Sequence, residues 1–257
     1  MCPQRRFKQR RLNGLGFIIN SIKIIFILGF LVLIHETGHF VVARLCKVKV
    51  KEFAIGFGPT IWRKQGKETK YALRLIPLGG FVNMEGEEER SDKEGSFSKA
   101  SIPKRIAIVA AGGLVNIIFA IVTYAILMTV MTGNFVTALS YTGDFAFSII
   151  ESLKLLFSGG VSVNQLMGPV GISEVVAQTA GVAEFVYILA VISLSLGVTN
   201  LLPFPPLDGG KVVLLLIESI RKKPLKESIE IKIQMIGFML LITLSVFVTY
   251  NDVTRIF

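Results

Sequence analysis

The chain is short of the residue types that usually carry chemistry: its 257 residues include two histidines, two cysteines and one tryptophan. Cys2 and Cys46 lie far apart in unlike surroundings, which excludes a framework of disulfide bridges. No basic stripe interleaved with aromatic residues occurs, so the net charge of +10 does not describe a nucleic-acid reader, and no nucleic-acid partner is expected. What is abundant is apolar. Hydrophobic residues make up 52% of the chain, with 19 phenylalanines and a mean hydropathy of +0.63, more than a soluble domain of this length needs to fill its core. The composition is that of a protein embedded in a lipid bilayer.

Four stretches reach the roughly 20 mostly apolar residues that a helix needs to cross a hydrocarbon layer. They are Leu15 to Ala43, Ile106 to Met131, Phe185 to Leu202 and Ile233 to Tyr250; Val212 to Ile217 is apolar but too short to span. Fourteen Lys or Arg fall between Arg44 and Arg105, five between Arg221 and Lys232, and only Lys154 between the second and third spans. This alternation follows the positive-inside rule and places the basic connections in the cytoplasm. Gly133 to Glu184 and both termini are then expected outside. The basic start "MCPQRRFKQRR" opposes that orientation, but its five basic residues are outweighed by the fourteen after the first span. A cleaved signal peptide would also put a basic region before an apolar core, yet no A-x-A-like site precedes His35 and the apolar stretch is long.

Inside the first span the sequence reads "LVLIHETGHF". Residues four apart share one face of a helix, so His35 and His39 can present their rings to one point with Glu36 beside them. H-E-x-x-H is the zinc pattern in which the glutamate is the general base. Burying a charged group in a span costs about 2.5–3.5 kcal/mol on insertion scales, so such groups mark function.

A catalytic zinc takes three protein ligands and keeps one position for water. These are the only histidines, so the third ligand is a carboxylate or a thiolate. Cys46 is about 10 Å further along the same helix, too far for one metal. Asp208 in "TNLLPFPPLDGGKVVLLLI" is the acid best placed, and Glu218 is its close competitor, beside Arg221 to Lys223 where an ion pair accounts for it. Pro203, Pro205 and Pro206 must break the third span. Unwound backbone at membrane depth requires cover from protein or a water-filled cavity, and it leaves N–H and C=O groups free to pair with an extended peptide. The simpler reading is a helix end and a Gly-Gly turn with Asp208 capping the next helix.

"HETGH" together with "NLLPFPPLDGG" closely resembles the site-2 protease family of intramembrane zinc metalloproteases, particularly the bacterial branch that acts on anti-sigma factors. "GFGP" at Gly56 to Pro59, "IPLGGFVNMEGE" at Ile76 to Glu87, "GGLVN" at Gly112 to Asn116 and "GPVGI" at Gly168 to Ile172 follow in that branch's order. The resemblance implies one Zn2+ per chain held by His35, His39 and Asp208, with Glu36 activating the water. It further implies Asn200 as a residue that holds substrate, and Val50 to Met84 as a membrane-associated β-hairpin that pairs with the substrate strand. The substrate-binding set expected on this basis is Asn200, Asn116, Gly56, Gly58, Pro203 and Pro205. The implied substrate is a single-pass membrane protein such as an anti-sigma factor, cut in the bacterial cell membrane from the cytoplasmic side.

The expected fold is an α-helical polytopic membrane protein, one domain over residues 1–257, with about four transmembrane helices and a β-hairpin over about 48–85. Two departures from the branch stand out. The stretch Gly133 to Gln165 is too short for the PDZ domain usual there, and its "FAFSIIESLKLLF", about 145–157, reads as one amphipathic helix against the membrane. Gly113 stands where relatives often carry proline. A transporter with broken helices and intramembrane acids, or an inactive scaffold on the same fold, is the alternative, although the former gives Glu36 no role.

Overall fold

A computed structural model of the chain describes residues 3–87, 89–158 and 167–256. Cys2 and the end of the Gly133 to Gln165 segment lie outside the described residues. The elements run α1 (Pro3–Leu45), β1 (Val50–Gln65), β2 (Lys70–Met84), a 3-10 turn (Phe97–Lys99), α2 (Ile102–Thr132), α3 (Phe135–Phe157), α4 (Pro169–Gln178), α5 (Val182–Asn200), α6 (Asp208–Arg221) and α7 (Glu227–Ile256). Four helical stretches are long and apolar enough to cross a membrane: Ile18–Leu45, Ile102–Thr132, Val182–Asn200 and Glu227–Arg255. Each overlaps one of the four spans expected from hydropathy, with bounds that differ by up to six residues. Their order of enclosure sets the architecture, since 39% of the most apolar window of α2 is buried but only 11% of those of α1 and α7. Thus α2 is the central post, and the outer helices α1 and α7 present Ile22, Met235 and Phe247 outward, as lipid-facing surfaces do.

Close backbone approach explains why α2 can be central. A Cβ on Gly38 of α1 would lie 2.6 Å from the Ala111 carbonyl, and one on Gly197 of α5 would lie 2.6 Å from the Gly113 carbonyl. Small residues at these crossings let helices pack backbone to backbone, which is how helices associate where lipid supplies no hydrophobic drive. Gly113 therefore keeps α5 close to α2.

The hairpin forms as expected, β1 and β2 pairing antiparallel. Gly56 and Gly58 have φ of +86° and +83°, and a Cβ on Gly56 would sit 2.5 Å from the Ile76 carbonyl. Only glycine fits there. The bend turns β1 so that Glu52 to Ile55 face Asn83 to Gly80 on one side and Lys70 to Leu73 on the other, while Trp62 to Gln65 meet Leu73 to Lys70. Val50, Phe53, Val82 and Met84 join Ile108 of α2 and Leu215 of α6 in one buried cluster, which seats the hairpin base against the helices.

Three features differ from the sequence expectation. The amphipathic segment starts at Phe135, ten residues before the expected Phe145, because Gly133 in a left-handed conformation closes α2 and turns the chain straight back. Its ring stack of Tyr124 on Phe145, centroids 4.1 Å apart, lays α3 along α2. The third span ends at Asn200 instead of Leu202, the non-helical 201–207 following it. The ten-residue α4 is additional, and its two ends are held by opposite charges. Asp252 of α7 accepts the N–H groups of Gly168 and Gly171 at 2.9 and 2.8 Å, while Lys23 of α1 donates to the Thr179 carbonyl at 2.9 Å. Each charge matches the partial charge of the helix end it meets.

Candidate metal centre

The centre is assembled from α1, α2 and the start of α6. Its geometry follows from two helix stripes of period four. His35 and His39 are successive turns of α1; Ile108, Gly112 and Asn116 are successive turns of α2. The helices run in opposite senses, so Ile108 stands behind His39 and Asn116 behind His35. Nδ1 of His39 donates to the Ile108 carbonyl at 2.8 Å, and the Asn116 carboxamide lies 3.4 Å from Nδ1 of His35. Between them Gly112 faces both rings, and any Cβ there would collide with Nε2 of His39 and Cε1 of His35.

The chain break after Asn200 turns α6 so that its first residue, Asp208, meets the rings. Oδ2 of Asp208 is 3.2 Å from Nε2 of His35 and 3.4 Å from Nε2 of His39, and the two Nε2 atoms are 3.2 Å apart. Gly209 and Gly210 permit this, because a Cβ on Gly210 would lie 2.6 Å from the Pro205 nitrogen.

Three lone-pair donors aimed at one point need a cation between them. Oδ2 of Asp208 is buried without a hydrogen-bond donor, and the His39 imidazole, which donates through Nδ1, offers only an acceptor at Nε2. A zinc tetrahedron with ligand distances of about 2.0–2.1 Å has edges of about 3.3 Å. The observed triangle has that edge length, and two imidazoles with one carboxylate form a catalytic zinc set with one position left open. The donors therefore fit the ion. The simpler reading of Asp208 as a helix cap gives its side chain no reason to face the rings. Glu218, the competing acid, pairs with Arg105 at 2.5 and 3.3 Å and not with the Arg221 to Lys223 cluster named from sequence.

A cavity of about 260 Å³ opens on this triangle, lined by Glu36, Val82, Met84, Pro206, Lys211 and Gln234 among others. Gly80 brings β2 against Glu36, where a Cβ would meet Glu36 Cγ at 2.9 Å. Lys211 pairs with Glu87 at 2.7 Å on the cavity wall. A second cavity of about 390 Å³ shares Val82, Glu87, Lys211 and Gln234 with the first and continues toward Arg90 and Glu227.

The sequence-derived substrate residues are placed less directly. Asn116 is fully buried behind His35. Gly56 shapes the bend of β1, and Gly58 is exposed in it. Pro205 packs under Gly237 of α7, Pro203 is exposed, and Asn200 closes α5 half-buried. Of the three prolines, Pro206 is the one on the cavity wall. Lys211, Glu87 and Gln234 were not singled out from sequence; the only available signal was that Lys211 lies one turn past Asp208.

Two imidazoles and a carboxylate that could hold a metal ion thus meet within helices of membrane-spanning length. Residues 23–244 match the model of peptidase family M50, so the chain belongs to that family, in agreement with the site-2 protease motifs. A "Putative zinc metalloprotease" of Clostridium acetobutylicum is 31% identical over 329 aligned positions, covering 91% of this chain and 97% of the relative. A protein of the same name from Fusobacterium nucleatum is 27% identical over 90% of this chain and 97% of its own. Zinc metalloprotease RasP of Bacillus licheniformis is 25% identical, covering 92% and 99%. The matched spans exceed the 257 residues of this chain, so these relatives carry segments that it lacks.

Proposed function

We propose that this protein is an intramembrane zinc endopeptidase that cuts the transmembrane segment of a single-pass membrane protein, as in regulated intramembrane proteolysis. The observation that carries the reading is the triangle of His35, His39 and Asp208 at the foot of a polar cavity, with Glu36 on its wall. These three side chains would hold one Zn2+, which supplies Lewis-acid polarisation of the scissile carbonyl and makes water a nucleophile near neutral pH. Glu36 takes the proton of the attacking water and delivers it to the leaving amide nitrogen.

A helical substrate hides its carbonyls in its own hydrogen bonds and must unwind first. Gly80 to Asn83 of β2 pair on one side only, with β1, and Val82 lines the cavity. That open edge supports addition of an extended peptide as a further strand. The substrate span is therefore one with helix-weakening residues, an anti-sigma factor being the kind the branch resemblance implies. His35 lies ten residues from the inner end of α1, and Gly112 ten from the start of α2, which is about 15 Å of helix in each case. With the basic loops in the cytoplasm, this depth supports a site served from the cytoplasmic side of a bacterial cell membrane. Residues 1–257 act as one membrane-embedded domain, and substrate gating by a PDZ domain is not carried over from the branch.

A carrier would also use a broken third span, but it leaves Glu36 idle. The deciding test is incubation of the protein in liposomes with single-span substrates, with and without a zinc chelator. Cleavage that stops on chelation and returns with added Zn2+ is expected; ion flux without cleavage would establish the carrier.

A further inference from the structure

Asn116 is the most enclosed polar side chain near the metal centre, with none of its surface exposed. Its Nδ2 lies 3.4 Å from Nδ1 of His35, while its Oδ1 has no partner among the described residues. A ring whose Nε2 faces a cation carries its proton on Nδ1, so it needs an acceptor behind it. Half a turn about the Asn116 Cβ–Cγ bond exchanges Oδ1 with Nδ2 and leaves the shape of the side chain unchanged. The imidazole N–H then has an acceptor and the carboxamide oxygen a donor. His39 already has the equivalent arrangement, its Nδ1 donating to the Ile108 carbonyl two turns earlier on α2.

We propose that Asn116 is a positioning residue for the metal centre, its Oδ1 accepting the Nδ1–H of His35 and so aiming Nε2 at the ion. Ser193 of α5 secures it in turn. The Ser193 hydroxyl donates to the Asn116 carbonyl at 2.9 Å, and both residues are fully buried. That bond reaches the main-chain carbonyl, so Ser193 fixes the α2 backbone that carries the Asn116 side chain. On this assignment Asn116 supports the ring instead of touching substrate, its side chain lying behind His35.

The inference rests on the zinc reading of the same site, so its test measures metal binding separately from activity. The full chain in detergent is titrated with Zn2+ against a competing chelator as wild type, Asn116→Leu and Asn116→Asp. Loss of the acceptor in Asn116→Leu weakens zinc binding about 10–100-fold, the usual cost of removing such a partner. Asn116→Asp, which still accepts the N–H, recovers the affinity. Asn116→Leu that binds zinc like wild type but raises KM would overturn the proposal and make Asn116 a substrate contact. A wild type that binds no zinc would overturn the metal reading itself. Should Asn116→Leu not fold, 15N-histidine spectra of the zinc-loaded wild type decide alone, because His35 and His39 are the only two histidines. Both rings are expected to carry the proton on Nδ1; a His35 ring bound to metal through Nδ1 refutes the assignment.

Discussion

Asp208 Oδ2 lies 3.2 Å from Nε2 of His35, although two further spans separate the residues along the chain. The contact closes the metal triangle, and it makes Asp208 the ligand most informative to remove. Asp208→Ala should lose both metal and activity while the helices persist, since among the described residues its carboxylate pairs with the two imidazoles alone. Metal analysis beside circular dichroism checks this, and full zinc occupancy in the variant would remove Asp208 from the ligand set.

Glu36 is on the cavity wall but outside the ligand triangle. Glu36→Gln should therefore keep zinc at one per chain and lower turnover by about 10²–10⁴, the usual contribution of a positioned general base. Turnover near that of wild type would end its assigned role.

Gly112 is the spacer between the two rings. Gly112→Ala inserts a methyl group into the position where His39 Nε2 and the His35 ring now lie. The rings must swing away, so zinc affinity and activity fall together, by about the 10–100-fold that loss of ligand orientation costs. Gly133→Asn, outside the site and in a left-handed conformation that asparagine tolerates, is the control.

Arg105 and Glu218 tie the start of α2 to α6, the helix that carries Asp208, with side chains 11% and 14% exposed. Removing one member strands the other. Glu218→Leu alone should cost about 3 kcal/mol, whereas Arg105→Met with Glu218→Leu should recover most of it. Thermal unfolding of the three proteins in one detergent reads the difference.

Glu52 sits between Arg74 and Lys70 at 3.1 and 3.2 Å across the hairpin. Partial burial works against its charge, but these two cations outweigh it and hold the carboxyl below the ordinary glutamate range. The folded value is lower than the unfolded one, so this stabilisation is complete above about pH 4.5 and is lost as pH falls through the folded value. The protection factors of the β1 and β2 amides, taken relative to the intrinsic exchange rate at each pH, should fall in acid, and Glu52→Gln should flatten that dependence.

Much of the site was legible because its signals are local. The four-residue spacing of His35 and His39 and the prolines before Asp208 declare themselves within a few residues. The partners behind the rings did not. Nothing in "GGLVN" distinguishes an asparagine that touches substrate from one that holds a histidine, because the difference depends on which helix lies opposite. Similarly, Lys211, Glu87 and Gln234 come from separate segments and share a wall only once α6, the loop after β2 and α7 are packed.

By itself the sequence determined the spans, the paired imidazoles with the acid beside them, and the break in the third span. Each of these follows from periodicity, hydropathy or a backbone restriction acting over one element. Only the tertiary structure decided that α2 is the central post, that Ile108, Gly112 and Asn116 back the two rings, and that α3 and α4 pack where they do. Those outcomes depend on how closely helices can approach at Gly38, Gly113 and Gly197, and that closeness is a property of pairs of surfaces, which no single stretch of chain specifies.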